Sequence, residues 1–211
     1  MIYEPKLKRI QQALGLTPDG YLGPKTLGAI ESRLGIGHSE LPVEKHLVLP
    51  PNNTQFKIDC FGRPREGFPL VECKVPYKLR IAWDTEETLT RFYCHEKVVQ
   101  RFQAMFEGWL DHFGADGIRD HGLDLYGGCY AHRSIRGGRS WSDHAYGIAI
   151  DIDPDRNGLR TPWRADKVGQ SGWASMPAEA IKIAEECSLR NIAAAMGRDA
   201  MHFAAVDYGT I

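Results

Sequence analysis

Apolar side chains recur at helical spacing most clearly at Val98, Phe102, Met105, Phe106, Trp109 and Phe113, and Gly114 closes the run. Apolar positions repeating every three to four residues make one buried face, so this stretch is expected to lie against the core. A second helix is expected from about Pro177 to Cys187. Near the N-terminus, Leu7, Ile10 and Leu14 mark a short helix stopped by Gly15. Leu27, Ile30 and Leu34 mark another, which Pro24 opens and Gly35 ends. After Gly147 the period changes to two: Ile148, Ile150 and Ile152 alternate with Ala149 and Asp151, as in a strand with one buried face. Further short strands are expected around Ile118, Cys129 and Phe203. The pattern predicts an α+β fold: a small, mostly antiparallel sheet with flanking helices, preceded by a short N-terminal helical unit.

Between these regions the stretch from Gly37 to Pro76 is rich in Pro, Gly and Asn, with Leu49-Pro50-Pro51-Asn52-Asn53 at its centre. It reads as a linker and a loop-rich approach, dividing the chain into residues 1–36, 37–75 and 76–211. A length of 211 residues accommodates one catalytic domain and a small appendage. A formal net charge of −1, without a dominant basic stripe, argues against nucleic acid as a partner. No apolar run is long enough to insert in a membrane. Met1-Ile2-Tyr3-Glu4-Pro5 lacks the basic start and apolar core of a secretory signal, so synthesis in the cytoplasm is expected. The five cysteines, Cys60, Cys73, Cys94, Cys129 and Cys187, are scattered and odd in number, which suits reduced thiols. Sequence leaves one loop pairing open, Cys60 with Cys73.

The chemistry concentrates in two segments. In Ser142-Asp143-His144-Ala145-Tyr146-Gly147-Ile148-Ala149-Ile150-Asp151 the face opposite the isoleucines carries only small residues before Asp151, and His144 arrives from the preceding turn. Asp199-Ala200-Met201-His202 supplies a second histidine with an acid three positions earlier. Two histidines and an aspartate suffice to hold a catalytic zinc with one position open, leaving Asp199 to move protons. Any one of these residues alone is compatible with an ordinary core or surface role; the joint pattern is what points to a metal. Asp153-Pro154-Asp155-Arg156-Asn157-Gly158 opens like an EF-hand loop, but Arg164 stands where a bidentate glutamate is required, so calcium is excluded there. A cysteine peptidase using Cys129 with His132 or His144, and a non-catalytic binding protein with a structural zinc, are the alternatives from other classes. Retention of Asp199 weighs against the second.

These motifs resemble the zinc D-alanyl-D-alanine carboxypeptidase and L-alanyl-D-glutamate endopeptidase family. Gly127-Gly128-Cys129-Tyr130-Ala131-His132-Arg133 is similar to its glycine-rich strand ending in arginine, and Pro76-Tyr77-Lys78-Leu79-Arg80 to its start. The resemblance implies one Zn2+ per chain on His144, Asp151 and His202, with Asp199 as general base and Arg133 facing the oxyanion. It places Ser142 and Arg136 toward substrate, and Arg136 and Arg139 are the alternatives to Arg133. Ala204 replaces a glutamate common after His-Phe. The approach Arg190-Asn191-Ile192-Ala193-Ala194-Ala195-Met196-Gly197 also lacks the usual tryptophans, so a reshaped substrate cleft is expected. Residues Gln11 to Thr26 resemble a peptidoglycan-binding repeat, with Gln11, Asp19 and Thr26 read as caps and turn formers. The implied partner is bacterial peptidoglycan and the expected state a monomer. The implied activity is that of a phage endolysin cutting the L-alanyl-D-glutamate bond, or alternatively of a D-alanyl-D-alanine carboxypeptidase acting in the wall.

Overall fold

The computed structural model describes residues 4–18, 24–34, 49–65 and 68–209. Helices Glu4–Ala13 (α1) and Pro24–Leu34 (α2) start and stop close to the expected positions. Gly15, at φ 75°, turns the chain after α1. Leu7 and Gln11 are buried, and the Gln11 side chain donates to the Thr26 hydroxyl at 3.1 Å. Gln11 and Thr26 therefore tie the two helices together, whereas caps and turn formers were expected. Ile10 and Leu34, expected on the apolar stripes, are exposed. Asp19, Gly20 and Gly35 fall outside the described residues.

The linker expected over 37–75 is corrected in two places. Thr54–Phe61 forms a helix (α3), and the first strand, Val71–Ile81 (β1), starts before the expected boundary. Asn53 caps α3 by accepting from the Gln55 backbone N–H at 2.8 Å, and Gly62, at φ 83°, closes it. This Asn-to-Gly bracket was readable, but α3 is only two turns long and lies among prolines. β1 makes a hairpin with Asp84–Cys94 (β2), and its register shifts between Lys74 and Leu79, around a proline that cannot donate to the ladder.

Val99–Asp120 (α4) carries the expected apolar face, with Phe102, Met105, Phe106 and Trp109 fully buried. Gly114, at φ 67° and ψ 175°, breaks it into two helical segments. Ile118, expected in a strand, lies in the second segment, because burial of a lone apolar residue does not discriminate helix from strand. Leu125–Gly128 (β3), Ala149–Ile152 (β4), the short helix Pro154–Asn157 (α5) and Ala178–Glu186 (α6) follow. Arg190–Asn191 (β5), Ile192–Met196 (α7) and His202–Ala204 (β6) complete the order.

The six strands form one sheet in the order β2-β1-β3-β4-β6-β5, antiparallel except where β1 meets β3. The α+β architecture and the mostly antiparallel pairing agree with the sequence pattern. Alternation within β4 and β6 divides core from site. Ile150 pairs with Phe203, whose ring meets that of Trp109 on α4 at 5.3 Å. Ile148, Ile150 and Ile152 are all completely buried. Burial of each such side chain contributes about 1.5–3 kcal/mol, so a one-residue slip that exposed all three would be strongly disfavoured. That register places Asp151 and His202 on the opposite face.

Candidate metal centre

Asp151 on β4 and His202 on β6 are directly paired across the sheet. Opposed residues of adjacent antiparallel strands have their Cβ atoms within about 4.5–5.5 Å, so one backbone register brings two ligand types together. His144 sits in the 3-10 turn Asp143–Tyr146, just before β4. Gly147 ends that turn at φ 66°, and a Cβ there would come within 2.7 Å of Leu70 and 3.1 Å of the His95 backbone nitrogen. Glycine is thus required both by conformation and by the close approach of the end of β2.

His144, Asp151 and His202 make a buried to half-buried cluster able to hold a metal ion. His144 Nε2 lies 3.2 Å from His202 Nδ1 and 3.3 Å from Asp151 Oδ2, and His202 Nδ1 lies 3.0 Å from Asp151 Oδ1. Tetrahedral zinc with bonds of about 2.0–2.1 Å has ligand–ligand edges of roughly 3.3 Å, so the separations between the two ring nitrogens and the nearer carboxylate oxygen of each are of the size that such a site requires. The remaining ring nitrogens are engaged elsewhere. His144 Nδ1 is 2.7 Å from the Cys129 carbonyl and donates to it, leaving Nε2 as the lone-pair nitrogen. His202 Nε2 is 3.0 Å from the Tyr208 hydroxyl. The donor set and its tautomers fit zinc.

The electrostatics favour a cation at this point. Burial alone would lower the His202 pKa, but the Asp143 and Asp151 carboxylates beside it raise it to about 10. Burial would raise both carboxyls, yet the histidines facing Asp151, and His202 with Lys57 facing Asp143, hold them below the usual carboxylate range. A field that retains a proton on buried imidazole also attracts a divalent ion.

Asp199 occupies a left-handed backbone position, φ 63°, uncommon for a residue other than glycine. It is 5% exposed, and its Oδ1 has no hydrogen-bond partner among the described residues. Burial and the nearby Asp151 raise its pKa. An under-satisfied carboxyl with raised basicity is what proton transfer requires.

Asp199 and the three candidate ligands line one cavity of about 520 Å³, together with Arg133, Arg136 and Ser142. Arg133 is exposed, and its carbonyl accepts from the Ser142 N–H at 3.1 Å, which sets the arginine loop beside the metal turn. Arg139 is exposed on the same loop. Ile192 and Met196 of α7 also border the cavity.

Residues 136–205 match the model of the D-alanyl-D-alanine carboxypeptidase family. The match contains His144, Asp151, Asp199 and His202, and with the clustered ligands it supports a metallopeptidase. No curated protein and no solved structure matches the chain. Arg133 lies just outside the matched span, as does the whole N-terminal unit.

The cysteine alternative meets a physical obstacle. Burial pushes the Cys129 thiol well above its ordinary pKa, and His144 contacts the Cys129 carbonyl. His132 instead stacks on Trp141, with ring centroids 4.7 Å apart. A buried, protonated thiol is a poor nucleophile. All five cysteines are free thiols, Cys60 and Cys73 included.

Sequence reasoning missed Lys57, Asp143 and Tyr208. Lys57 Nζ is buried 2.7 Å from Asp143 Oδ1 and 2.9 Å from Asn52 Oδ1. The Tyr208 hydroxyl donates to Asp143 Oδ2 at 2.8 Å. Asp143 stands within the metal motif and could have been suspected; Lys57 and Tyr208 are recognisable only once α3 and the C-terminal segment meet.

Proposed function

We propose that this protein is a zinc peptidase that hydrolyses an amide bond in the peptide stem of bacterial peptidoglycan. The observation that carries the reading is the convergence of His144, Asp151 and His202 beside a buried, under-satisfied Asp199 in one open cavity. Bound zinc supplies Lewis acidity and brings the pKa of a water toward about 7. Asp199 takes the proton from the attacking water and delivers it to the leaving amine. Arg133 faces the negative charge that develops on the carbonyl oxygen. Ser142 and Arg136 border the cleft where the stem peptide lies.

The L-alanyl-D-glutamate bond is the proposed target, and an endolysin tethered through residues 1–36 the proposed setting. Support comes from pairing a stem-peptidase motif with a segment resembling a wall-binding repeat. A D-alanyl-D-alanine carboxypeptidase is the second reading, favoured by the description of the matching family and by two arginines at the cavity suited to a terminal carboxylate. Mass spectrometry of purified peptidoglycan after digestion separates them. New amino termini on D-glutamate are expected; released D-alanine supports the second reading, and uncut stems overturn both.

Removing residues 1–35 is expected to weaken sedimentation with insoluble sacculi and to leave hydrolysis of a short soluble stem peptide intact. Unchanged sedimentation would make α1 and α2 a purely structural unit. Loss of soluble-peptide activity would show that α2, which runs against α4, stabilises the catalytic fold.

A further inference from the structure

We infer that Lys57, Asp143 and Tyr208 form a positioning chain that fixes the tautomer of His202 and so leaves Nδ1, not Nε2, for the metal. The inference rests on the zinc reading of the site and adds to it three residues that do not touch the metal position themselves.

The direction of each hydrogen bond carries the argument. Lys57 is a donor only, and its ammonium occupies Asp143 Oδ1 at 2.7 Å. Asp143 Oδ2 accepts the Tyr208 hydroxyl proton at 2.8 Å. A hydroxyl that has committed its one proton presents lone pairs to its remaining neighbour, which here is His202 Nε2 at 3.0 Å. Nε2 must therefore carry the N–H. Nδ1 is then the nitrogen left for the metal, 3.2 Å from His144 Nε2 and 3.0 Å from Asp151 Oδ1. Asp143 cannot hold Nε2 directly, because the separation of 3.8 Å is too long for a hydrogen bond. Tyr208 is the necessary link.

His144 obtains the same result from the Cys129 carbonyl, which can only accept. His202 instead depends on side chains from distant parts of the chain. Lys57 comes from α3, and the segment bearing Tyr208 is held by two backbone hydrogen bonds, Asp207 N–H to Pro50 at 2.9 Å and Asn52 N–H to Asp207 at 3.0 Å. Lys57 and Tyr208 both lie outside the matched residues 136–205. The functional unit thus includes the stretch around Pro50 to Phe61.

Zinc affinity of the full chain, measured by competition with a chromogenic chelator, tests the inference without using activity. Tyr208→Phe, which removes one oxygen, is expected to weaken affinity by about 10–100-fold, the usual cost of losing a partner behind a metal-bound histidine. Asp143→Asn is expected to weaken it further. With Lys57 still donating to the amide oxygen, the amide N–H₂ faces Tyr208 and turns the hydroxyl proton onto Nε2, which forces the proton to Nδ1. Because that effect passes through the hydroxyl, Asp143→Asn should cost much less in a Tyr208→Phe background than alone. Circular dichroism of the zinc-free variants checks that each is folded. Wild-type affinity in both single variants, or additive losses in the double variant, overturns the positioning chain. Failure of the unaltered protein to bind zinc would overturn the zinc reading itself, together with this inference.

Discussion

Asp199→Ala is expected to retain zinc and to lose stem-peptide hydrolysis by about 10²–10⁴-fold, the range typical of general acid–base assistance. Retention follows from the geometry: the cluster able to hold a metal is made by His144, Asp151 and His202, and Asp199 is not among them. Loss follows from its environment, a buried carboxyl of raised pKa with an unpartnered oxygen, lining the same cavity. Arg133→Ala provides the contrast. It is also expected to keep zinc, but to lose about 10²–10³-fold, as for one oxyanion donor. Zinc content and hydrolysis measured on the same preparations distinguish a proton carrier from a fourth ligand. A folded, zinc-loaded Asp199→Ala protein that turns over at the wild-type rate would refute the role of Asp199.

Replacing His144 or His202 by alanine is expected to abolish stable zinc binding and, with it, all hydrolysis. Each change removes a neutral nitrogen ligand whose opposite nitrogen is already tied to the fold, so no neighbouring atom can take its place. The consequences should differ beyond the metal. His144→Ala frees only a backbone carbonyl, whereas His202→Ala deprives the half-buried Tyr208 hydroxyl of a partner and removes the imidazole facing the Asp143 carboxylate, and should also lower thermal stability. Elemental analysis of purified variants is the measurement, and full zinc occupancy in both would sink the ligand assignment.

Local periodicity was enough to read β4, the apolar face of α4, α6 and the glycine stops at Gly15 and Gly114. Each of these depends on spacing within a few residues or on a backbone angle that glycine alone adopts easily. The candidate ligands were legible for the same reason. A strand of period two fixes the face of Asp151 from the faces of its isoleucine neighbours, and a glycine turn sets His144 ahead of it. Strand placement was less legible. The β1–β2 hairpin carries a proline and mixed polarity, and Ile118 is buried by helix packing, so neither follows a clean alternating pattern.

The amino-acid sequence by itself therefore determined the fold class, the identity of the metal-binding candidates and the presence of a spare acid, all encoded within short segments. Only the tertiary structure decided that the Asp151–His202 register brings those ligands face to face, and that Asp199 is buried without a partner for one oxygen. It also decided that Lys57, Asp143 and Tyr208 stand behind His202. The physical reason is separation along the chain. Lys57 and Asp143 are 86 positions apart and Asp143 and Tyr208 are 65 apart, so no local spacing rule connects them. A buried lysine is stable only where the fold supplies acceptors for its protons, and that requirement becomes visible when α3, the metal turn and the C-terminal segment have come together.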